Sequence, residues 1–217
     1  MDKITENESL FANSSEENGK MTHDHTLRHA KHVADTTSKL LSQLGADEDE
    51  FGLAYVAALL HDIGCVHGKK GHAKAGAEMV EKYIQKFDLF DKEKQTIVNA
   101  VARHGKSEHA KELIDYCLVL ADKCDWNKVR VVPGKYSHLA YLNTIKSNDI
   151  NFKDGKLILE YEKSDNFNYN GFYAFPKSID EPILIGQILE YPVEFYIDGV
   201  LEYFECRKDY TDFVYGK

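Results

Sequence analysis

An apolar helix is predicted to end at an adjacent histidine and aspartate in the stretch Leu59-Leu60-His61-Asp62-Ile63-Gly64, and this limits how the chain can fold. Residues 54–60 are apolar, so His61 and Asp62 arrive at the edge of a core. An imidazole and a carboxylate are costly to bury there without a partner. Because both groups are good ligands for a divalent cation, the pair indicates a metal site.

Hydrophobic spacing of three and four residues predicts a bundle of helices around this pair. Asp47 is expected to cap the helix that leads to it, with Glu50 completing a capping box, and Asp91 is expected to cap a later helix. The almost wholly apolar segment 51–60 predicts that its helix is the central one. The five predicted helices span about 22–44, 48–61, 72–87, 91–104 and 107–126.

After Val132 the pattern changes to a smaller α+β arrangement. Residues 150–161 and 193–204 each predict a β-hairpin, because an Asp-Gly pair divides an apolar run in both. Helices are predicted over about 135–146 and 179–190. The predicted fold is mainly α with a small C-terminal α+β appendage that contains two hairpins. Its parts are a mobile polar tail (1–20), a helical metal-binding domain (21–132) and an extension packed on it (133–217).

Charge and cysteine content limit the classes of function. The net charge of -9 argues against general binding to nucleic acid or to an anionic membrane. The four cysteines form no CxxC pair, and the first 20 residues carry no signal-peptide pattern. No stretch is long and apolar enough to cross a bilayer. We therefore expect a cytoplasmic protein with reduced thiols.

Polar residues on three predicted helices indicate where the metal lies. His25, His61, Asp62 and Asp122 occupy positions that point inward or stand at a helix end. Helical bundles build metal sites from such clusters. His25 is expected to reach the site from the start of the first helix. The other histidines near it, His29 and His32, are interpreted as solvated surface residues, as is His109.

The ordered segments His25-Thr-Leu-Arg28, His61-Asp62-Ile-Gly64, His72-Ala-Lys-Ala-Gly76, His104 and Ala121-Asp122-Lys123 resemble the signature of the HD-domain superfamily of metal-dependent phosphohydrolases. The resemblance covers about residues 22–130 and implies an all-α core. It also implies that His25, His61, Asp62 and Asp122 hold one divalent ion. Members with two metals use further histidines, which His72 and His104 match here, and Asp62 would bridge the ions.

The expected reaction is hydrolysis of a phosphomonoester or phosphodiester, with a nucleotide as the expected small-molecule substrate. Catalytic roles are predicted for Asp62 and, as phosphate contacts, for Arg28 and Lys123. Mixed histidine and aspartate ligands suit Mn, Fe, Co, Ni or Zn, and Mg less well. A homo-oligomer is an open expectation. Two alternatives are a non-catalytic nucleotide or metal sensor with the same site, and di-iron oxygenase chemistry, which some proteins of this fold perform.

Overall fold

The computed structural model describes residues 27–126, 144–173 and 177–206 of the 217-residue chain. The fold is mostly helical, with a small four-stranded sheet towards the C-terminus, as the sequence predicts. The helices are α1 Leu27–Gln43, α2 Glu48–Leu60, α3 His72–Ile84, α4 Asp91–Arg103, α5 Leu113–Lys123, α6 Tyr169–Tyr173 and α7 Lys177–Ile188. The strands are β1 Ile145–Lys153, β2 Lys156–Lys163, β3 Val193–Ile197 and β4 Val200–Glu202. Two short 3-10 helices span Ile63–His67 and Ser107–His109.

Helix starts follow local capping chemistry. At α2, Glu50 N donates to Asp47 Oδ1 at 2.9 Å and Asp47 N donates to Glu50 Oε2 at 3.2 Å, which confirms the predicted capping box. The prediction that Asp91 caps α4 is wrong. Asp91 is the first helical residue, and Phe90 N donates to the Glu93 carboxylate at 2.6 Å. The carboxylate of Glu93 therefore satisfies the backbone at this helix start.

Helix α5 is more deeply buried than α2. Eight of its eleven residues are buried, against four of thirteen in α2. The prediction that α2 would be the central helix is thus wrong, because α2 keeps polar residues in its first turn and a partly exposed face. α5 is also shorter than the predicted helix over 107–126. It begins only at Leu113, after the 3-10 helix Ser107–His109 and a short extended link.

The two predicted hairpins are confirmed, and they join in one sheet of order β1-β2-β3-β4. Asp154 and Gly155 have φ of 52° and 73°, and Asp198 and Gly199 have φ of 49° and 77°. Positive φ at both central residues is typical of the tight turns that suit hairpin twist. Strands β2 and β3 are parallel, because α7 carries the chain back across the sheet between them.

The sheet packs against the helices through α1 and α7. Strand β1 lies against α1, where Phe152 N donates to Gln43 Oε1 at 2.8 Å, and α7 lies against α5. The helix predicted over 135–146 falls mostly outside the described residues. Its last two residues, 145 and 146, belong instead to β1, where Ile145 is fully buried.

Parts of the predicted organisation lie outside the described residues. These are the polar tail at 1–20 and the predicted boundary near residue 132. Within the described ranges, no single helix is long and apolar enough to cross a membrane. The segments Glu48–His67 and His72–Ile84, whose axes are bent by 115°, are long and apolar enough only when they are taken together.

Candidate metal centre

Two glycines bring the turn after Asp62 against helix α3. A Cβ atom on Gly64 would lie 2.1 Å from the carbonyl oxygen of His72 and 2.4 Å from the nitrogen of Gly76. A Cβ on Gly76 would lie 3.2 Å from Gly64 N, so the two backbones touch. This close approach is possible because neither residue carries a Cβ atom. It places the first residue of α3, His72, beside the His61-Asp62 pair.

The first cluster contains His29, His61, Asp62 and Asp122, all buried, with one ligand atom from each within 4.8 Å of the others. Nε2 of His29 lies 3.4 Å from Asp122 Oδ1 and 3.7 Å from Asp62 Oδ2. Nε2 of His61 lies 3.2 Å from Asp62 Oδ2 and 3.8 Å from Asp122 Oδ1. The cluster thus joins α1, the end of α2 and α5.

The second cluster contains Asp62, His72 and His104, again within 4.8 Å. Asp62 Oδ1 lies 3.3 Å from His72 Nε2 and 3.7 Å from His104 Nε2. The two Nε2 atoms lie 2.9 Å apart. Since Oδ2 of Asp62 faces the first cluster and Oδ1 faces the second, this one carboxylate lies between them.

The hydrogen bonds of the four imidazoles determine which ring nitrogen faces the clusters. Each Nδ1 lies within hydrogen-bond distance of an atom that can only accept, so each Nδ1 carries its proton and donates it. The lone pair of each neutral ring is then on Nε2, which points to the carboxylates. The pairs are His61 to Ala58 O at 2.6 Å, His72 to Lys69 O at 2.7 Å, His104 to Val101 O at 2.7 Å and His29 to Asp125 Oδ2 at 2.7 Å.

The electrostatics of the clusters favour an ionised Asp122 carboxylate, and they shift the pKa values of His61 and His104 in opposite directions. Burial raises the pKa of Asp122, but Lys123, His29 and His61 outweigh it and hold the pKa well below its usual range. Burial lowers the pKa of His61, but Asp62 and Asp122 raise it by more. Burial also lowers the pKa of His104, and there its effect dominates.

These residues fit a divalent ion. Donor atoms bound to one such ion at 2.0–2.2 Å lie about 3–4 Å apart, which is the spacing found in both clusters. Nε2 of His61 is buried and has no hydrogen-bond partner among the described residues. The Nε2 lone pairs of the histidines point at the two carboxylates and at each other. This arrangement is unfavourable unless a proton or a cation lies between these atoms. A mixed imidazole and carboxylate set is typical of sites for Mn, Fe, Co, Ni or Zn.

Most of the predicted metal ligands come together in these clusters. His61, Asp62 and Asp122 lie in the first cluster, and His72 and His104 lie with Asp62 in the second. His25 lies outside the described residues, and the α1 residue in the first cluster is His29. The interpretation of His29 as a solvated residue is wrong, because its side chain is 0% exposed. Its position four residues before the buried Val33 could have revealed this.

The predicted phosphate contacts lie at different depths. Lys123 is largely buried and forms an ion pair with Asp122, so an ammonium group stands beside the first cluster. Arg28 is exposed on α1, next to His29. His109 is exposed and the side chain of His32 is 43% exposed, as expected.

Two further residues, which the sequence did not predict, contact the clusters. Asp125, which is 3% exposed, accepts the hydrogen bond from His29 described above. The thiol of the buried Cys65 donates to Asp62 Oδ1 at 3.5 Å. The spacing of three residues between Asp122 and Asp125 was an available signal for the first. We found no signal in the sequence for the second beyond its proximity to Asp62.

Comparison with known proteins identifies the helical part. Residues 26–127 match the family model of the HD domain. The chain is 27% identical over 184 residues to a protein named ribonuclease Y from Aster yellows witches'-broom phytoplasma, covering 77% of this chain and 33% of that protein. It is 34% identical over 99 residues to ribonuclease Y from Oceanobacillus iheyensis and 33% over 99 residues to that of Bacillus cereus, covering 44% of this chain and 17% of each relative.

The chain thus spans a third or less of the length of these curated relatives. The matched region contains the His61-Asp62 pair and every other residue of the two clusters. His61-Asp62, His72, His104 and Asp122 follow one another in this region in the order of the sequence signature, and His29 on α1 precedes them. On this match and this arrangement, residues 26–127 are an HD domain, which places the helical part of the chain in the HD-domain superfamily.

Proposed function

We propose that this protein is a metal-dependent phosphohydrolase that cleaves a phosphomonoester or phosphodiester bond, with a nucleotide as the expected substrate. The observation that carries the proposal is the pair of adjacent ligand clusters that share Asp62. Phosphoryl transfer is slow without strong electrostatic assistance, and two adjacent cations are a common way to supply it. One ion would be held by His29, His61, Asp62 and Asp122, and a second by Asp62, His72 and His104.

A divalent ion held by these residues would lower the pKa of a water molecule towards about 7, and this is the chemistry that it would supply for hydrolysis near neutral pH. The residues of the chain hold and orient the participants. Asp62 keeps the two positions close together through its two oxygens. Lys123, already beside Asp122, and Arg28 on the outer side of α1 are proposed to bind the negative charge of the substrate phosphate. The deep burial of the clusters limits competing water.

A second candidate substrate is RNA, since the relatives reported above are named ribonucleases. RNA hydrolysis is the same phosphodiester chemistry at the same clusters. An RNA substrate would conflict with the expectation, from the net charge of -9, that this chain does not bind nucleic acid generally. A substrate panel that contains both nucleotides and oligoribonucleotides separates the two candidates.

The test begins with elemental analysis of the purified protein. Hydrolysis of p-nitrophenyl phosphate, bis-p-nitrophenyl phosphate, nucleotides and oligoribonucleotides is then measured with Mn(II) or Co(II) added. Asp62→Ala is expected to lose metal binding and activity by about 10²-fold or more, while its circular dichroism stays helical. Asp88→Ala, an exposed carboxylate between α3 and α4, is the matched control and should behave as wild type.

Each alternative outcome has a clear meaning. Metal and nucleotide binding without turnover of any substrate would favour the sensor. Oxygen consumption with a mixed-valent iron signal would favour di-iron oxidation chemistry. Full activity in Asp62→Ala would refute the proposed role of the clusters.

A further inference from the structure

Asp125 stands behind the first cluster, on the side of His29 away from Asp62 and Asp122. Its Oδ2 accepts the hydrogen bond from His29 Nδ1 at 2.7 Å, and its side chain is 3% exposed. Nε2 of His29 is the atom that faces the two cluster carboxylates. A carboxylate bonded to Nδ1 fixes the tautomer and the orientation of a histidine ring and makes Nε2 a stronger ligand.

The backbone on both sides of Asp125 is held by a residue of the sheet. Helix α5 ends at Lys123, and the turn of residues 124–126 follows it. Cys124 N still donates to Leu120 O at 2.9 Å, and Trp126 N donates to Cys124 O at 2.8 Å. The side chain of Asn148, on strand β1, donates through Nδ2 to Cys124 O and accepts from Trp126 N at 3.2 Å. These two bonds flank Asp125, so strand β1 fixes the place from which its carboxylate reaches His29.

We propose that Asp125 and Asn148 are positioning residues for His29: Asn148 orients the turn 124–126, and Asp125 in that turn holds the His29 ring with Nε2 towards the first cluster. The inference rests on the proposed metal site. It also assigns a role to the C-terminal sheet, because Asn148, 25 positions after the end of α5, then sets the geometry of a ligand on α1.

A second contact of Asp125 does not account for its position. Oδ1 lies 3.5 Å from Nε2 of His32, whose side chain is 43% exposed. An ion pair of that length with a largely solvated partner stabilises little. The buried bond to His29 is shorter by 0.8 Å and involves a residue of the first cluster. The geometry therefore favours a role for Asp125 in orienting His29 rather than in holding the exposed face of α1 in place.

The experiment compares Mn(II) affinity, measured by calorimetry on the full chain, in wild type, Asp125→Ala and Asn148→Ala. The Kd is expected to rise about 10–100-fold in Asp125→Ala, the range found when a group that orients a metal-bound histidine is removed. A smaller rise in the same direction is expected for Asn148→Ala. Asp149→Ala is the control, since Asp149 is the next residue of β1 and its ion pair with Lys39 lies on the surface.

A wild-type Kd in Asp125→Ala would overturn the proposal, even if the variant melts at a lower temperature, because a purely structural role predicts that pattern. A wild-type Kd in Asn148→Ala would overturn the part assigned to the sheet. If Asp125→Ala does not fold, Asp125→Asn keeps the volume and removes the charge, and the same rise in Kd is required of it.

A second readout does not depend on metal. In the metal-free wild type, the ¹⁵N shifts of the His29 ring should report one tautomer with its proton on Nδ1, and Asp125→Ala should lose that preference. If wild type binds no Mn(II), the proposed function fails, and the tautomer alone decides the inference. An unchanged tautomer in that case would overturn it.

Discussion

Replacing Gly64 by alanine is expected to disturb the second cluster while leaving the helices formed. The new Cβ would lie 2.1 Å from His72 O, 2.4 Å from Gly76 N and 2.9 Å from Gly76 Cα. Ordinary contacts begin at 3.4 Å, so the turn and α3 must move apart by about 1 Å or more. All three contacts are with backbone, which cannot rotate away. Overpacking of this kind costs about 1–3 kcal/mol, or about 2–12 °C in Tm for a chain of this length.

The displacement acts directly on metal binding, because His72 is the first residue of α3. Its Nε2 lies 3.3 Å from Asp62 Oδ1 and 2.9 Å from His104 Nε2. We expect Gly64→Ala to bind one fewer Mn(II) per chain than wild type in calorimetry, with the first cluster retained. The first cluster contains no residue of α3.

Gly52→Ala is the matched control. Gly52 lies in α2, and nothing is within 4 Å of the position of its Cβ. Alanine should therefore stabilise the helix by about 0.5–1 kcal/mol and leave metal binding unchanged. A Gly64→Ala protein with wild-type Tm and wild-type Mn(II) stoichiometry would refute the argument that the backbone contact at Gly64 positions His72.

Three further predictions concern the site and the sheet. His29→Ala should weaken Mn(II) binding while the exposed His109→Ala leaves it unchanged; equal affinities in calorimetry would count against His29 as a ligand. Mn(II) affinity should rise as the pH increases above 6.5, the ordinary pKa of histidine. Burial lowers the pKa of His61, but Asp62 and Asp122 raise it by more, and a proton on Nε2 competes with the metal until the pH passes the raised pKa. A Kd that does not change with pH would contradict this. Gly155→Ala should lower the free energy of unfolding in urea by about 1–2 kcal/mol, because φ is +73° there, and should leave metal affinity unchanged. An unchanged urea midpoint would argue against the hairpin turn.

Most of the fold could be predicted because its signals are local. Helix spacing, the Asp47 capping box and the two Asp-Gly turns each depend on residues close in sequence, and each is present in the structure. Where a local signal was ambiguous, the prediction failed. The helix predicted to end at 146 overlaps β1, and Asp91 is predicted as a cap although Glu93 supplies the carboxylate.

The pairing of β2 with β3 could not be predicted in the same way. The two hairpins lie far apart in sequence, and either could have remained a separate ribbon. Their union depends on α7, which packs on α5 and returns the chain parallel to β2. Contacts of this range depend on how helices pack, which no short window of sequence encodes.

The residue types at the ends and inner faces of the helices, and so the chemistry of the two clusters, can be read from the amino-acid sequence. The entry of His29 into the first cluster, and the positions of Asp125 and Asn148 behind it, depend on how the helices and the sheet pack. The physical reason is rotational. Periodicity defines a buried face of α1 that is broad enough for more than one histidine, and the packing of α1 against α2, α5 and β1 selects the ring that points inward.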